Sequence, residues 1–143
     1  MFSKACEYGL KATLYIAHES QKGNRVSMKG ISHAIDSPLA FTAKVLQQLA
    51  RTGIVSSVRG PAGGFEIDTS KQSQIKLSDI VAAIDGDKIY NGCGLGLKEC
   101  NGTKPCPVHD KFEDVRDGLK SMLETTSVLD LAKGLKAGLT FLK

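Results

Sequence analysis

Hydrophobic positions in the first fifty residues recur at helical spacing and predict three consecutive helices. In residues 4–18 the apolar side chains follow every third or fourth position, which is typical of a helix that lies on a core. Ser27 can cap a short second helix over residues 27–34. A third helix is predicted over residues 38–52, because it begins with proline, which is tolerated at the first helical position, and ends at Gly53.

The pattern changes after the third helix and predicts a β-hairpin. Residues 54–58 and 65–67 alternate at strand period, and the turn between them is rich in glycine and carries Arg59. A helix-turn-helix followed by a hairpin is a winged helix, whose last helix enters the major groove of DNA while an arginine can reach the narrow minor groove. The alternative is a hairpin that only packs against the rest of the protein and leaves Arg59 in solvent. A phosphate-binding loop is disfavoured because no helix begins after Gly64.

A long helix is predicted over residues 110–124. The apolar positions of this helix are spaced 3-4-3 in an otherwise charged segment, and they are Phe112, Val115, Leu119 and Met122. Such a narrow apolar stripe favours contact with a partner helix, and packing against its own domain is the alternative. A second amphipathic stretch follows Thr126-Ser127.

Three cysteines lie close together in a glycine-rich segment that is too poor in large apolar residues to form core. Cys93, Cys100 and Cys106 have C-x6-C-x5-C spacing, and His109 follows. Three thiolates and an imidazole are a ligand set for a soft metal or an iron–sulfur cluster. A disulfide framework is disfavoured because one cysteine would be left over. A structural zinc site is a second alternative, although the tight C-x2-4-C spacing usual for zinc is absent.

Cys6 lies on the apolar stripe of the first helix and is predicted to be core.

The distribution of charge and the length of the apolar runs indicate which kind of partner the protein binds and where in the cell it is found. Residues 1–75 hold nine Lys or Arg against five acidic residues, whereas residues 76–143 hold ten of each, so the whole net charge of +4 lies in the first half. A one-sided basic half suits a polyanionic partner. No apolar run is long enough for a transmembrane helix or a signal peptide, so we expect no membrane partner and a cytoplasmic protein.

Two segments of the chain closely resemble the IscR/NsrR family of bacterial transcription regulators. They are residues 45–65 (VLQQLARTGIVSSVRGPAGGF) and residues 77–86 (LSDIVAAIDG). The second segment looks like that family's next helix, and the cysteines follow where the family carries its cluster ligands. The resemblance covers nearly the whole chain. It implies a homodimer of winged-helix subunits that binds a palindromic operator in double-stranded DNA, with a long helix after the wing as the dimer interface. Family members that keep the cysteines sense iron–sulfur status, nitric oxide or redox stress.

The resemblance also implies a cofactor and two alternative fourth ligands. His109 matches the IscR branch, in which three cysteines and a histidine hold a [2Fe–2S] cluster, and this is the favoured assignment. Glu7 lies where the NsrR branch offers an acidic residue from the other subunit to a [4Fe–4S] cluster. A non-cysteine ligand is readily displaced, so we expect the cluster to be labile in the isolated protein.

The predicted recognition helix departs from the family. Well-known members place polar side chains where this chain has Ala40, Phe41 and Ala43. Polar contacts to DNA are therefore expected from other positions of that helix and from the wing, and these are Thr42, Lys44, Gln47, Gln48, Arg59, Gly60, Pro61, Gly63 and Gly64.

The sequence thus predicts a mainly α fold with a small β-hairpin: a winged helix-turn-helix with a long C-terminal dimerisation helix. The predicted divisions are a DNA-binding domain over residues 1–86, a cluster-binding loop over residues 87–109 (the cysteine loop) and the dimerisation and C-terminal helices over residues 110–143. The predicted function is a homodimeric regulator, a repressor, that senses through the cluster. The alternative is a cluster-free regulator whose cysteines bind zinc or sense oxidation as thiols. An enzyme is disfavoured because no nucleophile–base pair or nucleotide-binding loop is present.

Overall fold

The first helix forms the centre of the fold. A computed structural model describes residues 1–143, and its helix α1 spans Lys4–Gln21, three residues longer than the hydrophobic pattern predicts. The hydroxyl of Ser3 caps α1 by accepting a hydrogen bond from the backbone N–H of Cys6 at 3.0 Å. Gly9 permits close packing, because a Cβ atom there would overlap the side chain of Ile84.

Helices α2 (Met28–Ala34) and α3 (Leu39–Arg51) form the predicted helix-turn-helix. The hydroxyl of Ser27 caps α2 by accepting from the N–H of Gly30 at 3.0 Å. The turn between the two helices contains Asp36 at φ 53°, the one non-glycine residue with a left-handed backbone. Pro38 lies just before α3 instead of within its first turn, a difference of one residue from the prediction.

The predicted hairpin consists of two short antiparallel strands, β1 (Ser56–Val58) and β2 (Gly64–Glu66). The register pairs Ser57 with Phe65. Phe65 also exchanges two backbone hydrogen bonds with Val26, at 2.8 and 3.0 Å, so the segment before α2 lies beside the hairpin as a third extended piece. The wing, defined as β1, β2 and the turn between them, is therefore attached to the helix-turn-helix by backbone bonds. A short 3-10 helix, Thr69–Lys71, follows it.

The second half of the chain contains helices α4 (Leu77–Ile84), α5 (Lys88–Asn91), α6 (His109–Thr125) and α7 (Val128–Lys136). The junction between α6 and α7 pairs with the segment before α4: Leu77 donates its N–H to Thr126 at 3.0 Å, and Val128 donates to Ile75 at 2.9 Å. This pairing fixes the C-terminal end of α6 to the first half of the chain.

One hydrophobic core joins both halves. Helix α1 packs against α3, α4 and α7, and the core includes Ile16 of α1, Leu46 of α3, Ile80 of α4, Leu123 of α6 and Val128 of α7, all fully buried. None of the helices combines the length and apolarity needed to cross a membrane. The predicted mainly α fold with a small β-hairpin is confirmed. The core joins residues 1–86 to residues 110–143, and the three predicted functional divisions stay a prediction.

Candidate functional site

Helix α3 presents an open surface that bears cations and amides and no acid. Lys44 and Gln47 are exposed and Gln48 is half-buried, and together with Arg51 they line a shallow surface depression. No Asp or Glu occurs in α2 or α3. The predicted DNA-contacting positions Lys44, Gln47 and Gln48 therefore share one surface whose charge suits phosphate groups.

The prediction that Thr42 contacts DNA is wrong. Thr42 is buried, and its hydroxyl donates to the carbonyl of Pro38 at 2.9 Å and is also hydrogen-bonded to the hydroxyl of Ser37. These hydrogen bonds lie on the core side of the first turn of α3, so the Thr42 side chain faces the core. The two apolar neighbours, Ala40 and Phe41, are exposed.

The turn of the wing projects into solvent with Arg59, Gly60 and Pro61 exposed. Gly63 donates its N–H to the carbonyl of Gly60 at 2.9 Å, and a Cβ atom on Gly63 would overlap the carbonyl of Val58. Gly64 has φ +140°, and a Cβ atom there would lie 2.8 Å from the carbonyl of Val26. Only glycine fits these two positions, so the backbone geometry itself holds Arg59 at the tip.

A second arginine, which the sequence indicated only as one cation among several, supports the wing. Arg25 pairs with Glu66 of β2 at 3.0 Å and donates to the carbonyl of Ala62 at 3.3 Å. The pairing joins the residue before Val26 to both the strand and the turn. No sequence spacing could have indicated it, because the two partners are 41 residues apart.

All four cysteines are free thiols, and they fall into two environments. Cys6 is buried on α1, and burial, followed by the nearby Asp85, raises the pKa of its thiol to about 12. The prediction that Cys6 is core is confirmed. Cys100 is exposed, and Cys93 and Cys106 are half-exposed, in the segment between α5 and α6.

The cysteine loop brings the predicted ligands together as two pairs. The pKa of the Cys93 thiol is lowered, chiefly by the backbone N–H groups of Leu95 and Leu97 and to a smaller extent by the nearby Cys106. The Leu95 N–H lies 3.4 Å from the Cys93 sulfur. The Cys100 sulfur lies 3.7 Å from Nδ1 of His109, the first residue of α6.

The three sulfurs do not form one compact group. The one set of three candidate ligand atoms that lie within 4.8 Å of one another belongs to His109, Asp110 and Glu113. A single tetrahedral zinc ion needs all of its sulfur ligands within about 4 Å of each other, given Zn–S bonds of about 2.3 Å. The observed arrangement in two pairs does not have that form.

Arg116 of α6 connects the cysteine loop to this helix, and sequence reasoning missed it. Its Nη1 donates to the carbonyl of Gly92 at 2.7 Å and to the sulfur of Cys100 at 2.8 Å. The contact with Cys100 raises the pKa of the Arg116 guanidinium. The sequence spacing could have indicated this contact, because Arg116 follows His109 by seven residues and therefore lies on the same face of the helix.

Glu7, the alternative fourth ligand, lies on α1 and is paired with Lys4 at 3.2 Å. Within the single chain its carboxylate is thus engaged by a neighbouring cation on its own helix. Its role as a ligand from a second subunit stays a prediction.

The predicted dimer residues of α6 lie on one side of the helix, which we call the outer face: Phe112, Val115, Leu119 and Met122. Val115 is 61% exposed, Phe112 and Met122 are also exposed, and Leu119 is half-buried against the protein's own core. Phe112 is additionally close to Gly94, where a Cβ atom would meet the phenyl ring at 2.6 Å. Helix α6 is anchored to its own domain by Leu123, a position that the 3-4-3 spacing did not include.

Comparisons with known proteins agree with this geometry. Residues 2–134 match the Rrf2 family, described as an iron-dependent transcriptional regulator. The HTH-type transcriptional regulator IscR of Photorhabdus laumondii is 30% identical over 124 residues, which are 87% of this chain and 74% of that protein.

Two solved structures share the fold. CymR, the global cysteine regulator of B. subtilis, superposes with a TM-score of 0.75 at 22% identity, over 93% of this chain and 96% of that one. IscR of T. potens superposes with a TM-score of 0.74 at 19% identity, over 98% of this chain and 91% of that one.

Proposed function

Because the chain belongs to the Rrf2 family of transcriptional regulators, as its resemblance to IscR and NsrR indicated, we propose that it acts as a cytoplasmic homodimeric repressor that senses through an iron–sulfur cluster. Cys93, Cys100, Cys106 and His109 hold the cluster, and the operator is palindromic DNA. The observation that carries the proposal is the attachment of the cysteine loop to α6 through Arg116.

The coarser function follows from the family. The chain is a DNA-binding transcriptional regulator and not an enzyme. Its helix-turn-helix and wing provide the binding surface: α3 enters the major groove with Lys44, Gln47 and Gln48, and Arg59 reaches the adjacent minor groove. The absence of acidic residues from α2 and α3 supports this placement.

The donor set fits an iron–sulfur cluster. Two separate pairs, Cys93 with Cys106 and Cys100 with His109, suit a [2Fe–2S] cluster in which each iron takes two protein ligands. All four side chains are partly or fully exposed, so iron and sulfide can reach them. When bound, the cluster supplies a redox-active centre that oxidants and nitric oxide can attack. A [4Fe–4S] cluster completed by Glu7 of a second subunit is the less favoured form.

The cysteine loop can influence DNA binding because it leads directly into α6. His109 begins that helix, and Arg116, two turns later, holds Gly92 and Cys100 against it. Three of the four apolar side chains on the outer face of α6 are exposed, and we propose that this face packs against the same face of a second subunit. Any change in what the loop binds then changes how two recognition helices are spaced, and that spacing must match half-sites about one DNA turn apart.

The test is the visible spectrum of protein reconstituted with iron and sulfide without oxygen. Serine at Cys93, Cys100 or Cys106 should abolish the visible bands, because too few strong donors remain. Cys6→Ser is the matched control and should retain them, because Cys6 is buried in the hydrophobic core. His109→Ala should shift or bleach a [2Fe–2S] spectrum, whereas Glu7→Ala should leave it unchanged.

Zinc bound stoichiometrically by anaerobic protein, without iron or sulfide, would contradict the cluster proposal. A spectrum unaffected by His109→Ala and lost in Glu7→Ala would instead assign the fourth ligand to the second subunit. Neither result bears on the DNA-binding function, which is tested separately by measuring the affinity of the protein for DNA.

A cluster-free thiol sensor is the second candidate. The lowered pKa of Cys93 favours the reactive thiolate, and the adjacent Cys106 provides a partner for a disulfide. The fold is shared with CymR, a cysteine regulator. This candidate predicts that oxidant alone changes DNA affinity in metal-free protein and that Cys106→Ser removes the change.

A further inference from the structure

The first turn of the recognition helix α3 is an exposed apolar surface. Pro38, Leu39, Ala40 and Phe41 are all exposed, with Leu39 at 44% and Phe41 at 38%. In a helix-turn-helix, the N-terminal residues of this helix are the ones that meet the edges of the bases. Large apolar side chains at that position need an explanation, because hydrogen-bonding side chains are the usual readers of base edges.

No polar side chain in this turn is free to replace them. The hydroxyls of Ser37 and Thr42 bond to each other, both residues are buried, and Thr42 also donates to Pro38. The first exposed polar side chain of α3 is Lys44, in the second turn. The N-terminal end of α3 therefore offers neither a donor nor an acceptor side chain to a base.

Phe41 is held in a defined position. Its ring packs edge to face on Tyr8 of α1, with 5.5 Å between ring centroids and 71° between ring planes. The ammonium groups of Lys4 and Lys11 lie 5.6 and 5.3 Å from the Tyr8 ring centroid. The Phe41 ring is thus packed in one position. Lys11 and Lys4, the latter paired with Glu7, lie near Tyr8, and the net positive charge there suits contact with a polyanion more than contact with a second apolar protein surface.

The major groove exposes one apolar group that such a surface can recognise. It is the C5-methyl of thymine, which contacts small apolar and aromatic side chains. We propose that Leu39, Ala40 and Phe41 read thymine methyl groups, so that this end of each half-site is selected by methyl contacts in place of hydrogen bonds. The proposal rests on the proposed DNA-binding function and names the chemistry by which that site selects its sequence.

The experiment removes methyl groups from DNA without changing base pairing. A duplex that the parent protein selects from a random library is resynthesised with deoxyuridine in place of each thymidine in turn. At one or two positions per half-site we expect affinity to fall about fourfold, which corresponds to about 0.8 kcal/mol for one buried methyl group. At the other thymidines the affinity should not change.

A methyl group can also be put back. At a position where uridine weakens binding, a duplex with a C·G pair should bind poorly, and 5-methylcytosine in that pair should recover part of the affinity. This arm uses only the parent protein, so it is independent of how any variant folds.

Protein variants assign the contact. In Phe41→Ser or Leu39→Ser the penalty for uridine should disappear at one position, whereas Lys44→Ala should weaken binding and keep the penalty. Leu139→Ser is the control, because Leu139 is 78% exposed and follows α7. Circular dichroism establishes that each variant is folded.

Three results separate the possibilities. If uridine costs nothing at any thymidine, or if its cost is unchanged in both apolar variants, the methyl proposal is wrong while salt-dependent binding of the selected duplex still supports the proposed function. If the parent selects no duplex, the proposed function itself fails. If Phe41→Ser changes the oligomeric state and leaves the uridine penalty intact, the surface is an interface between copies of the chain, and the methyl proposal is overturned.

Discussion

Arg116 uses one nitrogen to hold two parts of the cysteine loop, the carbonyl of Gly92 and the sulfur of Cys100. Its Nε is buried and has no hydrogen-bond partner. A buried N–H without a partner is unfavourable, so the geometry persists because the two bonds at Nη1 and the attraction to Cys100 outweigh it. The side chain therefore acts as the tether between loop and helix.

Replacing Arg116 by alanine should loosen the cysteine loop and leave the fold intact. We expect backbone amides near Gly92 and Cys100 to exchange hydrogen faster in metal-free protein, because both bonds that hold the loop on α6 are lost. Arg116→Lys should recover part of the protection, since an ammonium keeps the charge but lacks the planar fork. The measurement is hydrogen exchange by mass spectrometry.

Lys120→Ala is the matched control, because Lys120 is an exposed cation one turn further along α6. Equal exchange in the parent and in Arg116→Ala would show that the loop is held by other contacts.

For individual residues, the sequence indicated which chemistry a side chain can perform better than it indicated where that side chain points. The spacing of the cysteines and His109 predicted a ligand set whose members the fold places in neighbouring pairs. Thr42 was misjudged because a hydroxyl in a helix can turn inward and bond a carbonyl four residues earlier, and sequence does not reveal which way it turns. The contact of Arg116 with the cysteine loop was missed because a charged residue on a charged helix normally extends into solvent.

The wing is the element in which a single side chain should matter most for affinity. Arg59 is exposed at the tip and carries no ion pair, so its guanidinium is available to DNA. Arg59→Ala should weaken operator binding by on the order of 1–3 kcal/mol and reduce the slope of log affinity against log salt by about 1. Fluorescence anisotropy over a range of salt concentrations measures both quantities.

Lys120→Ala on α6 provides the comparison, since it removes an exposed cation from a helix that packs on α4 and α5. An Arg59→Ala protein that binds its operator as tightly as the parent would rule out minor-groove contact by the wing.

Elements were predictable to within a few residues where periodicity and caps agreed. Ser27 and Ser127 both cap helices, as their positions before apolar runs indicate. The strands are shorter than the alternating pattern suggests, since Ile54 and Val55 are buried in the core before β1 begins. What sequence could not supply was pairing between distant segments, such as Val26 with Phe65 or Lys76 with Ser127.

For the whole molecule, the outer face of α6 is the proposed dimer interface. Val115 is 61% exposed in the single chain, so an aspartate there should change the stability of one subunit by no more than about 0.5 kcal/mol. In a dimer packed through this face the same carboxylate would be buried without a partner, which costs far more. Val115→Asp should therefore sediment as a folded monomer and bind a palindromic operator weakly.

Ser121→Asp adds the same charge on another face of α6, where Ser121 is exposed, and should leave the dimer intact. A parent protein that is monomeric at micromolar concentration would overturn the dimer proposal, and a dimeric Val115→Asp variant would place the interface elsewhere.

The two ends of α6 are held very differently. Its C-terminal end is bonded to the segment before α4 and anchored by the buried Leu123, whereas its N-terminal end packs against α5 and the exposed cysteine loop. A helix of 17 residues is about 25 Å long. It can therefore behave as a lever with a fixed pivot: a tilt of about 10° would carry the His109 end by roughly 4 Å while scarcely moving the DNA-binding half of its own subunit. Two such levers in contact would add their displacements, so the distance between recognition helices could respond to a modest rearrangement of the loop without any unfolding.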